Sequence, residues 1–149
     1  MQKITPYLWF NGRAEEAMDF YVSVFDDAVV CNVNRIGENI VTGSFSLYGQ
    51  QFMVLDGGPM FSFSPAISFF VNCETQEEVD RLWTKLSDGG EEQMCGWLTD
   101  KFGVSWQIIP TALGRLMNST DPAAAQRVMQ AMLKMKKIII ADLEEAHKG

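Results

Sequence analysis

Apolar and polar positions change period several times along the chain, and each change marks an element. From Ile4 to Phe10 an apolar run, with Pro6 near its start and Asn11-Gly12 at its end, predicts a first strand. The period then lengthens. Ala14, Ala17, Met18, Tyr21 and Phe25 recur at helical spacing, while Glu15, Glu16 and Asp19 take the other face and suit the positive end of a helix. Val29 to Ile36, Ile40 to Tyr48 and Gln51 to Asp56 read as three strands, separated by Gly37-Glu38-Asn39 and Gly49-Gln50. Gly57-Gly58-Pro59 closes this unit.

After the connector Phe61-Ser62-Phe63-Ser64-Pro65 the same order starts again, with a strand from Ala66 to Asn72. Thr75-Gln76-Glu77-Glu78 is a capping box that opens a helix carrying Val79, Leu82, Trp83 and Leu86 on one face. Gly89-Gly90 ends that helix, and Glu92 to Trp97 reads as another strand. Asp100 and Gly103 take the first and last places of a four-residue turn. In the strand that follows, Val104 to Ile109, Val104, Trp106 and Ile108 alternate with Ser105, Gln107 and Ile109. Glu15-Glu16-Ala17-Met18-Asp19-Phe20-Tyr21 and Glu77-Glu78-Val79-Asp80-Arg81-Leu82-Trp83 match in pattern, so two successive βαβββ modules are expected. The expected class is α+β, a curved mixed sheet around a cleft, with module one over 1–60 and module two over 61–110.

The last segment, 111–149, differs in kind. Asp121-Pro122 supplies a cap and a first-turn proline, and Val128, Met132, Met135, Ile139, Leu143 and Ala146 continue at steps of three or four. One long amphipathic helix is expected, packed on the domain or on a second subunit.

Composition narrows the function. At 149 residues, 47% hydrophobic and 21% charged, the chain needs neither metal nor disulfide to fold as one domain. A net charge of -7 without a basic stripe argues against nucleic acid. No apolar run is long enough for a membrane span and no signal core is evident, so cytoplasmic residence is expected. Cys31, Cys73 and Cys95 are widely spaced and read as reduced, mostly buried thiols. His147 is the single histidine, which disfavours Ser-His-Asp and Cys-His catalysis and excludes multi-histidine metal sites.

The Pro6-Tyr7-Leu8-Trp9-Phe10 opening, Ala14-Glu15-Glu16-Ala17 with Phe20-Tyr21, and the Asp100-Lys101-Phe102-Gly103 turn resemble the vicinal oxygen chelate superfamily. Within it, the chain is similar to the PhnB-like group, which carries the domain name 3-demethylubiquinone-9 3-methyltransferase. Arg127-Val128-Met129-Gln130-Ala131-Met132 and Lys134-Met135-Lys136-Lys137-Ile138 look like that group's tail. The resemblance implies paired modules, a homodimer, and a divalent ion held by one ligand on each of four strands. Carried onto this chain, those positions fall on Pro6 or Tyr7, on Val54, Leu55 or Asp56, on Ala66, and on Gln107. One amide, an alanine and a single possible carboxylate do not make a shell for a divalent cation, so no metal or other cofactor is expected. Nor does a Gly-rich loop lead from a strand into a helix, as a Rossmann-like methyltransferase requires.

With Ala66 and Gln107 directed inward, alternation adds Ser68, Phe70, Ser105 and Ile109, and the repeat adds Tyr7 and Trp9. Such a lining, with Asp56 as its one candidate charge, suits a planar or cationic small molecule held by stacking and a few hydrogen bonds. The expected function is small-molecule binding without metal. The alternative is a metal-independent enzyme in which Asp56 is the base and Tyr7 or Gln107 polarises the substrate.

Overall fold

The computed structural model describes residues 2–149, with every side chain among them but that of Val41. The backbone divides into two units, one ending at Phe63 and the other spanning Ser64–Gly149. In the first, β1 (Tyr7–Phe10), α1 (Ala14–Val24), β2 (Ala28–Ile36), β3 (Asn39–Leu47) and β4 (Gln50–Asp56) follow in turn. The sheet order is β1-β4-β3-β2, with β1 parallel to β4 and the other pairs antiparallel. The second unit repeats the plan with β5 (Ser68–Cys73), α2 (Gln76–Ser87), β6 (Glu91–Glu92), β7 (Trp97–Thr99) and β8 (Ser105–Pro110). Its order, β5-β8-β7-β6 with β5 parallel to β8, is the same permutation. The α+β class and the repeated βαβββ unit thus stand as read from the sequence.

One face of each sheet is covered by its own helix. Ala14, Ala17, Met18 and Tyr21 of α1 are buried, as are Phe45, Phe52 and Val54 of the sheet. Tyr21 stacks on Phe45 at 5.7 Å between ring centroids, and Phe45 on Phe52 at 5.0 Å. Gly43 makes room for this packing, since a Cβ there would lie 2.7 Å from Met18 Cε. The connector joins the first unit: Phe61 packs edge-on to Trp9 at 4.9 Å and Phe63 to Phe10 at 5.3 Å. In the second unit Val79, Leu82, Trp83 and Leu86 are buried, together with Leu98, Trp106 and Ile108 of the sheet. Thr75 caps α2, with Glu78 N–H donating to Thr75 Oγ1 at 3.1 Å, while Glu78 Oε1 accepts at 2.9 Å from Glu74 N–H, one residue before the cap, so the reciprocal bond of the expected capping box is shifted by one residue.

Two expectations are corrected. Glu92 to Trp97 is not one strand: β6 ends at Glu92, the chain turns through Cys95 (φ 61°) and Gly96 (φ 81°), and β7 begins at Trp97. The long C-terminal helix is also interrupted. From Asp121 on it is replaced by α4 (Pro122–Met132) and α5 (Ile140–Lys148), and a further helix, α3 (Thr111–Met117), precedes them. Both departures have one cause. Cys95 N–H donates to Met135 O and Gly96 N–H to Lys136 O, each at 2.8 Å, so the turn and the interrupted helix satisfy each other's backbone. Gln76 completes the join, with Nε2 donating to Ile138 O at 3.0 Å and Oε1 accepting from Ile140 N–H at 2.7 Å. Beside it, hydrogen bonds from Lys137 and Gln76 hold the Asp80 carboxyl below its ordinary value. Ile109, Leu113, Leu116, Val128, Ile138 and Leu143 form the core between these helices and β8.

The cysteines differ more than the sequence suggests: Cys31 is exposed, Cys95 half-buried, and Cys73 alone is buried. Burial, followed by the Glu78 carboxylate, pushes the Cys73 thiol up to about 12, so it stays protonated at neutral pH. Native-state labelling with iodoacetamide, read by peptide mass, should mark Cys31 first and leave Cys73 unlabelled until the chain is unfolded. Labelling of Cys73 as fast as Cys31 would contradict this burial.

Candidate functional site

The turn before β8 fixes the site. Asp100 is 2% exposed, and its carboxylate is saturated with donors. Oδ1 accepts from Phe102 N–H at 2.9 Å and Val104 N–H at 3.0 Å, and Oδ2 accepts from Trp106 Nε1–H at 2.9 Å. Gly103 closes the turn at φ 91°, donating its N–H to Asp100 O at 3.0 Å. Locking Trp106 to the turn sets the alternation of β8, directing Trp106 and Ile108 to the core beneath α2. Ser105, Gln107 and Ile109 take the opposite face.

On that face, Gln107 lies between two aromatics. Phe70 of β5 and Trp97 of β7 are both in register with it, giving an unbroken row of ring, amide and indole across three strands. Gln107 Nε2 donates to Ser68 Oγ at 2.9 Å, which fixes one end of the amide. The other end has no partner among the described residues. A cavity of about 470 Å³ opens over this row, within the usual range for small-molecule sites. Thr111, Leu113 and Gly114 of α3 border it together with Met132 of α4, and Asn72, Cys95 and Ile109 complete much of the wall.

The expected site residues are therefore divided. Gln107 and Phe70 line the cavity, and Ser68 supports Gln107 from the same face. Ser105 shares that face but is 2% exposed and does not reach the cavity. Ala66 corrects the expectation, because it lies exposed in a turn before β5 begins and supplies no position on the strand. Tyr7 and Trp9 belong to the first unit, on the sheet face away from α1. There Trp9 Nε1–H donates to Gly58 O at 2.9 Å, and its indole leaves no space for a side chain at Gly57.

Asp56 is also corrected. By alternation from Val54 it turns to the α1 side, where Oδ1 accepts Ala14 N–H at 3.0 Å. Arg13, the residue at the helix start, gives no side-chain cap, and Asp56 supplies one from the end of β4. Leu55 occupies the face on which the carboxylate was expected. Sequence reasoning missed Trp97, Asn72 and the α3–α4 contributions. Alternation carried two residues past Phe70 reaches Asn72, whereas Trp97 needed the break after Glu92 to be recognised.

Two βαβββ units of identical sheet order define the glyoxalase/bleomycin-resistance class of the vicinal oxygen chelate superfamily, and solved structures agree. FosX, the fosfomycin resistance protein of Listeria monocytogenes, solved with Mn(II) and sulfate, has a TM-score of 0.53 at 12% identity, covering 71% of this chain and 89% of its own. A glyoxylase/bleomycin resistance protein/dioxygenase domain from Frankia sp. has a TM-score of 0.51 at 13% identity, covering 74% and 92%. These likenesses concern fold alone. The chain belongs to the 3-demethylubiquinone-9 3-methyltransferase family, whose model matches residues 2–109, and within the superfamily it falls in the PhnB-like group. The putative 3-demethylubiquinone-9 3-methyltransferase, PhnB protein, of Bacillus cereus is 41% identical, with a TM-score of 0.69 over 73% of this chain and 99% of its own. No protein of curated function matches the chain. The family match stops just before α3, so the helices that border the cavity lie past it.

Proposed function

We propose that this is a small-molecule-binding protein that holds its ligand by aromatic contact and neutral hydrogen bonds, without a coordinated metal ion. The observation that carries this reading is the cavity over Phe70, Gln107 and Trp97, with an amide anchored at one end and available at the other. Neutral polar groups set among apolar ones are the ordinary composition of such sites.

The donor set does not suit the divalent ion that the superfamily implies. Ala66 and Leu55 offer no ligand atom, Asp56 is engaged with α1, and Gln107 is a neutral amide. No three His, Cys, Asp or Glu side chains come together among the described residues in a way that would hold an ion. A hard divalent cation needs several oxygen ligands with carboxylates among them. The methyltransferase description likewise lacks support in the glycines. Gly57-Gly58 follow β4 into a connector and Gly89-Gly90 follow α2, so neither pair leads from a strand into a helix.

The test pairs two measurements. Titration with zinc, manganese, nickel and iron(II), followed by calorimetry, should give no stoichiometric uptake. A fragment screen read by backbone amide shifts should give hits clustered at Phe70, Trp97 and Gln107. Tight uptake of an ion, or hits confined to other surfaces, would overturn the reading.

A further inference from the structure

The cavity has a feature that the protein's own packing does not account for. Gly114 lies inside α3, away from both ends, and a helix-interior glycine is less stable than alanine. Nothing in the surroundings demands it: its φ is not positive, and a Cβ built there meets no heavy atom within 4 Å. Gly43 and Gly96 differ, since a Cβ at either would collide with neighbours. The open space beside Gly114 borders the cavity. Gly114 is exposed as well as lining the cavity, so the space a Cβ would enter is open to a ligand.

Charge then restricts what that is. The cavity lining contains no carboxylate, ammonium or guanidinium group, although the chain as a whole carries a charge of -7. An ionised group held against this lining would meet no opposite charge. Two aromatics separated by an amide do not make the closed ring of faces that cages a cation. Neighbouring strands lie about 5 Å apart, so the Phe70-Gln107-Trp97 row extends roughly 10 Å, the span of a fused two-ring system. Asn72 and Thr111 add neutral hydrogen-bonding groups at the margin.

We propose, building on the binding role above, that the cavity takes an uncharged, planar ring compound laid across Phe70 and Trp97, with a hydrogen-bonding edge on the Gln107 amide and its body in the space kept open by Gly114. The α3 glycine is then a specificity residue lying past the part of the chain shared with the family model.

The experiment compares three probes of one shape: naphthamide, which is neutral, naphthoate, which is anionic, and naphthylmethylammonium, which is cationic. Each is titrated into the full-length protein and followed by amide shifts and calorimetry. Naphthamide should bind with one-to-one stoichiometry, at least about tenfold tighter than either charged analogue. Gly114→Phe should abolish that binding by filling the space, and Gly114→Ala should weaken it by about tenfold while raising the melting temperature. A charged analogue binding as tightly as naphthamide, but lost in Gly114→Phe, would overturn the neutral-ligand proposal and leave the binding role standing. Probe binding that persists unchanged in a folded Gly114→Phe would overturn the role of Gly114, and with amide shifts away from Phe70, Gln107 and Trp97 it would overturn the binding role too. Binding of none of the three at millimolar concentration would overturn the ligand class, with the fragment screen still deciding the binding role.

Discussion

Replacing Asp100 with alanine is expected to destabilise the protein by about 3–5 kcal/mol, because three donors lose their acceptor in the interior at once. Two are backbone N–H groups, of Phe102 and Val104, and the third is the indole N–H of Trp106. Asp100 itself is 2% exposed, so little water can replace it. Asp100→Asn retains one acceptor oxygen and sets an amide N–H₂ against a remaining donor, which should cost less, about 1–3 kcal/mol. Urea unfolding of the two variants beside the parent chain measures both values. A loss below about 1 kcal/mol for Asp100→Ala would mean that the turn is held by its glycine and backbone bonds instead. The function is also exposed to this change, since the turn sets which face of β8 carries Gln107.

Ile138→Ala is expected to cost about 2–5 kcal/mol, the range for removing most of a buried aliphatic side chain. Ile138 is 0% exposed and belongs to the cluster that joins the last three helices to β8. It also lies in the non-helical stretch between α4 and α5, with its carbonyl accepting from Gln76. Loss of the side chain should therefore loosen the α4–α5 junction together with the core. Guanidinium unfolding with hydrogen exchange at the amides of Cys95 and Gly96 would detect both effects, because those amides donate into the same segment. Unchanged exchange alongside a large stability loss would separate the core from the junction.

Much of the fold was legible in the sequence because its signals are local. The Thr75 cap, the Asp121-Pro122 start and the Asp100–Gly103 turn are each written within a few residues, and each forms as read. The long final helix failed for the opposite reason. Met135 and Ile139 keep the apolar stripe in step, and residues 133–139 contain neither glycine nor proline, so no local signal marks a break. The interruption is made by partners far away in sequence, namely Gln76, Cys95 and Gly96.

The candidate site was legible to the same extent. Gln107 and Phe70 follow from alternation alone, whereas Trp97 depends on a turn that exists only because the C-terminal segment pairs with it. Asp56 carries no mark of being a cap, since the helix it serves lies 42 residues earlier in the chain.

That distance bears on the order in which the two repeats can be assembled. The second helix carries its acceptor at its own start, so its beginning can be fixed as soon as Thr75 through Glu78 take up their local geometry. The first helix has to wait. Its leading amide has a side-chain acceptor only after three further strands have been made and aligned, and loop closure over that length precedes the reward. Two modules alike in topology therefore differ in autonomy, one nucleated locally and the other completed only when its last strand docks.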